Sequence, residues 1–385
     1  MDTMLRALMP FIKLFQAVGL SPLIVTDSKI IEARHMTIYS IVSIATFLIA
    51  FLYGFFQEDL FSIPNEQPMN EIAHTVDFIQ LTGIRIAHLI ILFEALVQRK
   101  NLIRLISRLN DWDLIVQKQF NTLHFDHQVI RKKILFKLLG SGTFYLGIQL
   151  TLLLIILLRA QYQFTYYWSL YLIPFTDRFQ LVNMKIEQLQ LNASIENSFK
   201  NSSRNAKSNS NSPNNHTNDL SSIDQLIIVR QLYDKLWELT NLTNKCFGLS
   251  LLVNIGNDFV AITGHCYWIF LTIENIPVGT NDILAVIGSC IWTIPSLINS
   301  FMIASICHVT VEKAHEAGFV LHQIKHDPLN EGQNMVIQQF SLQLLHQKIK
   351  FTAYGFFNID FSLLFTMISA STTYLVIIIQ MHKDA

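Results

Sequence analysis

The sequence predicts an all-α membrane protein with seven transmembrane helices, cytosolic helix extensions, an inside N-terminus and an outside C-terminus. Three observations carry this expectation. Hydrophobic residues make up 51% of the chain and charged residues 15%, against about 25% charged in an ordinary globular domain. Seven stretches approach the roughly 20 apolar residues that a helix needs to cross the hydrocarbon core. Lysine and arginine gather in alternate connections, as they do on the cytoplasmic side of a membrane.

Residues 1–35 form the expected cytoplasmic arm. Its opening, MDTMLRALMPFIKLFQAVGL, carries Arg6, Pro10 and Lys13. It has no unbroken apolar stretch before a small-residue cleavage site, so it reads as a mature amphipathic terminus and not a signal peptide. The spans follow at about 36–56, 72–97, 138–158, 164–184, 251–272, 283–306 and 359–381. Four basic residues lie in the arm, nine in 99–137, eight in 178–245 and four in 307–350. These are 25 of the chain's 28 basic residues, while the short connections after spans one and five have none. A plasma-membrane protein with cytoplasmic even-numbered connections results. That parity is opposite to a G-protein-coupled receptor, and neither an Asp-Arg-Tyr after span three nor an Asn-Pro-x-x-Tyr in span seven is present.

The expected organisation continues from there. Region 36–196 holds spans one to four with their cytosolic extensions, and 197–222 is a Ser/Asn-rich tract too polar to bury a core, read as a disordered cytoplasmic loop. Its Asn201 and Asn215 acceptors lie on the cytoplasmic side and are expected to stay unglycosylated. Region 223–306 holds a cytosolic helix and spans five and six, 307–358 cytosolic assembly helices, and 359–385 the last span with a short extracellular tail. Leu226, Val229, Leu232, Tyr233, Leu236 and Leu239 recur at helical spacing in the first of these. Such helices either pack into an assembly domain or cover the membrane face.

Span two places His74, Asp77, Leu81, Arg85 and His88 within an arc of about 80°. Ionisable groups inside a span mark functional sites by default. Here they either line a ligand cavity, or Asp77 and Arg85 offset each other's charge, directly or through water, and fix helix packing. Span five repeats the pattern with Asn254, Asp258 and His265, and Trp268 follows. Tyr166, Tyr167, Trp168 and Tyr171 in span four either wall a cavity or form an interfacial belt. Gln149 of span three and Trp292 of span six complete the set. The candidate ligand contacts are therefore His74, Asp77, Gln149, Tyr167, Tyr171, His265, Trp268 and Trp292, all in the expected outer halves of their helices. Aromatic walls with a few hydrogen-bonding groups suit a small molecule.

Other classes are disfavoured. The net charge is zero and no basic cluster stands beside aromatics, which excludes nucleic-acid binding. Four cysteines show no CxxC pairing or metal-like spacing with histidine, so no metal is expected. No phosphate loop, Gly-x-Ser-x-Gly or HExxH is present, so neither an enzyme nor a cofactor is expected. No inverted repeat of the kind seen in many secondary transporters is evident.

Span seven brings Thr366, Ser369, Thr373, Ile377 and Gln380 near one face. Such a stripe serves either as a close helix–helix interface or as a pore wall with an aliphatic gate. Residues 355–381, GFFNIDFSLLFTMISASTTYLVIIIQM, resemble the C-terminal signature of insect gustatory receptors: Thr-Tyr, five apolar residues, then Gln-Phe. Thr373, Tyr374, Leu375–Ile379 and Gln380 supply it, and Met381 replaces the phenylalanine. The preceding HQKIKFTAYGFFNID is also similar.

The resemblance implies a homo- or hetero-tetrameric, ligand-gated cation channel of gustatory neurons, opened by a small-molecule tastant and closer to the bitter or broadly tuned branch. It implies a pore lined by the last helix, with Thr373, Ile377 and Gln380 along the pore and gate, and Tyr374, about 60° or more off that face, as a brace. A transporter of small polar solutes and a non-conducting co-receptor subunit are the alternatives.

Overall fold

The computed structural model describes residues 12–13, 16, 23–25, 30–58, 71–120, 132, 175–189, 222–274, 280–324 and 331–384. Span three, the first part of span four and nearly all of the tract 197–222 lie outside the described residues. The elements are β1 (Leu23–Val25), β2 (Ile30–Glu32), α1 (Arg34–Glu58), α2 (Glu71–Val97) and α3 (Arg99–Gln119). After them come α4 (175–189), α5 (Ser222–Glu274), α6 (Thr280–His322), α7 (Glu331–His346), β3 (Thr352–Ala353), β4 (Phe357–Asn358) and α8 (Phe361–Asp384). Five of the described helices are long and apolar enough to cross a membrane: α1, α2, α5, α6 and α8.

The contacts divide the chain into two units. One holds Met1–Tyr171, Leu242–Cys307 and Thr352–Ala385, and the other Leu172–Asn241 and His308–Phe351. α5 runs for 53 residues, about 80 Å at 1.5 Å per residue. A crossing uses less than half of that, so the expected extension of span five is one unbroken helix with it. α6 likewise continues past span six, to His322.

In the second unit the stripe Leu226, Val229, Leu232, Tyr233, Leu236 and Leu239 is buried. It packs through edge-to-face rings, with Phe179 and Tyr233 centroids 5.7 Å apart and Tyr233 and Phe340 5.9 Å apart. Phe175 and Phe351 meet in the same way at 6.4 Å. Such pairs add about 0.5–1.5 kcal/mol each beyond area burial. Polar ties hold the rim: Asn183 Nδ2 donates to the Lys313 carbonyl at 2.7 Å and Arg230 to Gln339 at 2.6 Å.

In the first unit, α3 buries Leu102, Leu105, Ile106, Leu109, Trp112 and Val116 along one face. The β1–β2 hairpin pairs Leu23 with Glu32 and Val25 with Ile30, strand structure that an amphipathic arm did not announce. Arg99 Nε sits 2.5 Å from Glu32 Oε1 and, through that hydrogen bond, holds the carboxyl below its ordinary range. Within the most apolar 18-residue stretch of each candidate span, only 6% is buried in α1 and 17% in α8, against 61% in α5. The exposed α1 and α8 faces need lipid or another protein surface to cover them.

Two expectations are corrected. Region 307–358 is not helical throughout: after α7 the chain forms the antiparallel β3–β4 hairpin, with Thr352 opposite Asn358 and Ala353 opposite Phe357. Tyr354 and Gly355 have φ of 52° and 82°, which no right-handed helix accommodates. Nor do Asp77 and Arg85 pair directly. Eight residues along one helix separate them by about 12 Å, and Asp77 turns instead to α5.

Candidate ligand pocket and pore face

α2 and α5 meet through side chains that the apolar surroundings force into pairs, since an unsatisfied polar group there is costly. The indole of Trp268 donates to Asp77 Oδ1 at 2.7 Å. One turn further along α2, Gln80 Nε2 donates to the Ala261 carbonyl at 3.3 Å. Gly264 makes room for that amide, because a Cβ there would stand 1.9 Å from Gln80 Nε2. α5 and α6 are joined by Asp258, whose Oδ2 accepts from Asn299 Nδ2 and from Ser300 Oγ, the latter at 3.1 Å. At the other end of α2, Glu94 accepts the backbone N–H groups of Leu249 at 3.1 Å and Ser250 at 2.7 Å, and also the Ser250 hydroxyl.

The candidate contacts are thus distributed unevenly. Asp77 and Trp268 are brought together. His74 lies one turn before Asp77 and is exposed, and His265 is half-buried one turn before Trp268. Trp292 lies within α6, but its side chain lies outside the described residues, as do Gln149, Tyr167 and Tyr171 altogether. Gln80, Glu94 and Gly248 were missed from sequence. Glu94 did carry a signal, an acid within an apolar span.

α8 shows two faces. Its buried seam carries Met367 and Ser371. Ser371 Oγ accepts from Thr263 at 3.1 Å, and His382 Nδ1 lies 3.1 Å from the Tyr267 hydroxyl. The Tyr374 ring meets Phe259 edge-on with centroids 5.8 Å apart, although the side chain stays half-exposed. The opposite face exposes Ser369, Thr372, Thr373, Val376, Ile377 and Gln380. All but Gln380 line a shallow groove. Thr366, Thr372 and Thr373 donate to the carbonyls of Ser362, Ile368 and Ser369 at 2.9–3.0 Å. Each hydroxyl has one hydrogen to give, so this face presents oxygen acceptors outward while its donors are spent inward.

With that geometry in place the relatives can be read. The family described as 7tm Chemosensory receptor matches residues 8–384. The chain belongs to this family. It is similar to the Drosophila melanogaster protein "Putative gustatory receptor 2a", 33% identical over 421 residues that span 100% of this chain and 97% of that protein. It also resembles the "Gustatory and pheromone receptor 32a" of the same fly, 34% identical over 42% of this chain and 34% of that protein. Among solved structures, the insect olfactory receptor OR5 from Machilis hrabei superposes with a TM-score of 0.67 at 11% identity, covering 98% of each chain. Its complex with eugenol superposes at 0.61 and 10% identity, over 97% of this chain and 98% of that one.

This receptor is therefore an all-α membrane protein with the seven-transmembrane fold, and the likeness to insect gustatory receptors carried by Thr373, Tyr374 and Gln380 holds for the chain. The family is one of chemosensory receptors and not of enzymes.

Proposed function

We propose that this receptor is a gustatory chemoreceptor that acts as a tetrameric, ligand-gated, non-selective cation channel opened by a small-molecule tastant, a bitter or other non-sugar compound. The observation that carries the proposal is the exposed face of α8. A helix with its hydroxyl donors turned into its own backbone and its oxygens outward is suited to water and cations, and Ile377 among those oxygens supplies an aliphatic constriction. Four copies of that face around an axis form a pore. Thr373, Ile377 and Gln380 line it, while Tyr374 braces α8 against Phe259 of α5. The eugenol-bound olfactory receptor supports a small, weakly polar ligand, and Asp77, Trp268, His74 and His265 are the described groups that would meet one. In this reading the N-terminus and the second unit are cytoplasmic, residues 197–222 are a cytoplasmic linker, and the receptor sits in the plasma membrane of gustatory neurons.

The test is patch clamp on cells expressing this chain alone, screened against small tastants. An evoked cation current is expected, and Gln380→Ala should change its selectivity or block. Permeation, gating and block all unaltered in Gln380→Ala would remove α8 from the pore. Saturable flux without single-channel openings would favour a transporter, and current only with a partner a co-receptor subunit.

A further inference from the structure

We propose that Gly248 is a positioning residue for gating: it lets the β3–β4 hairpin dock directly on α5, and this dock sets the starting position of α8. The inference rests on α8 being the pore helix. Asn244 and Gly248 lie one turn apart on one face of α5, and both meet the hairpin backbone. Asn244 Oδ1 accepts the Thr352 N–H at 3.2 Å. A Cβ on Gly248 would stand 3.1 Å from the Tyr354 backbone nitrogen and 3.2 Å from its Cα. The obstacle is main chain, which cannot swing aside like the end of a side chain.

The hairpin has little freedom to yield. Phe356 N–H donates to the Ala353 carbonyl at 3.0 Å across a turn whose two central residues, Tyr354 and Gly355, both have positive φ. Only the three residues 354–356 separate the paired Ala353 and Phe357, and a tyrosine with positive φ in so short a loop is held against its own preference. From Asn358 only Ile359 intervenes before Asp360, whose Oδ1 accepts the N–H groups of Ser362 at 2.9 Å and Leu363 at 3.3 Å. That is an N-cap for α8. The path from the dock to the first turn of the helix is therefore short and bonded at both ends.

On the other side of Gly248, Glu94 holds the amides of Leu249 and Ser250. α2, which carries Asp77, thus grips α5 within two residues of the hairpin dock. A shift of α2 against α5 is handed to the hairpin and from there to α8.

Gly256 on the same helix provides the control, because a Cβ there meets nothing within 4 Å. The experiment compares Gly248→Ala with Gly256→Ala in the full-length receptor. Hydrogen exchange over residues 352–358 reads the dock, and the ligand concentration for half-maximal current, the basal open fraction and the unit conductance read the gate. Gly248→Ala should speed exchange in the hairpin. It should also move half-activation or basal opening by about fivefold or more, the low end of ordinary coupling between sites, with unit conductance unchanged. Gly256→Ala should do neither.

Faster exchange with half-activation and basal opening unmoved overturns the positioning role, as does equal exchange in the two variants. A loss of surface receptor with unaltered gating in what remains reduces Gly248 to a packing residue and also overturns it. Absence of any current from the unaltered chain counts against the channel reading. In that case exchange alone decides the dock, faster in Gly248→Ala supporting it and equal in both variants overturning it.

Discussion

Alanine at position 258 should keep most of the receptor from reaching the cell surface. Asp258 is 1% exposed, and its Oδ2 takes both the Asn299 amide and the Ser300 hydroxyl of α6. Truncation leaves two α6 donors facing a dry gap. In a water-soluble core each would cost about 1–3 kcal/mol. Hydrogen bonds between membrane helices average about 0.6 kcal/mol, with a maximum near 1.7, because the separated helices also find partners. A combined loss of about 1–4 kcal/mol follows, large against a typical stability of about 5–15 kcal/mol. A loss of that size lowers cellular abundance severalfold. Asparagine should behave differently: both bonds converge on a single oxygen, and an amide carbonyl can replace it. Surface biotinylation and detergent-solubilised thermal stability should rank wild type close to Asp258→Asn and both well above Asp258→Ala. An Asp258→Asn receptor as depleted as the alanine variant would show that the charge, not the acceptor, holds α5 to α6.

The sequence exposes some of these features and hides others for physical reasons. A membrane span is set by composition along a continuous window, so α1 and α2 start and end within two residues of the stretches 36–56 and 72–97. Helical periodicity depends only on near neighbours, and the Leu226–Leu239 stripe is accordingly buried as its spacing required. The β3–β4 hairpin is harder to see, because two-residue strands are too short for an alternation to register. Its one local sign was Gly355 among aromatic residues.

Pairing is the larger gap. Asp258 was conspicuous in span five, yet nothing local joins it to Asn299, 41 positions away. Shared helical face also proved an incomplete guide: Asp77 and Arg85 fall at the two edges of one arc of about 80° and at different depths. The case of Gly248 is different again. A glycine inside a helix reads as a small destabilising choice of about 1 kcal/mol until the backbone of Tyr354 is placed beside it.

The second large effect falls at Glu94, where the substitution that should rescue position 258 is expected to fail. Glu94 is 5% exposed and uses both carboxylate oxygens: Oε1 accepts the Leu249 N–H, and Oε2 accepts the N–H and hydroxyl of Ser250. Glutamine keeps only one acceptor oxygen. Whichever way its amide turns, its NH2 faces a backbone N–H, and a helix amide cannot rotate away to relieve two opposed donors. A neutral hydrogen bond contributes about 0.5–1.5 kcal/mol, and leaving a buried donor without its acceptor costs about 1–3 kcal/mol. Glu94→Gln should therefore lose thermal stability nearly as far as Glu94→Ala. Combining it with Ser250→Ala should recover little, since the Leu249 and Ser250 amides remain. The measurement is melting of purified receptor in detergent for all four chains, wild type included. A Glu94→Gln receptor that melts with wild type would mean that the α5 amides are satisfied within their own helix, and that the grip of α2 on α5 rests on apolar packing alone.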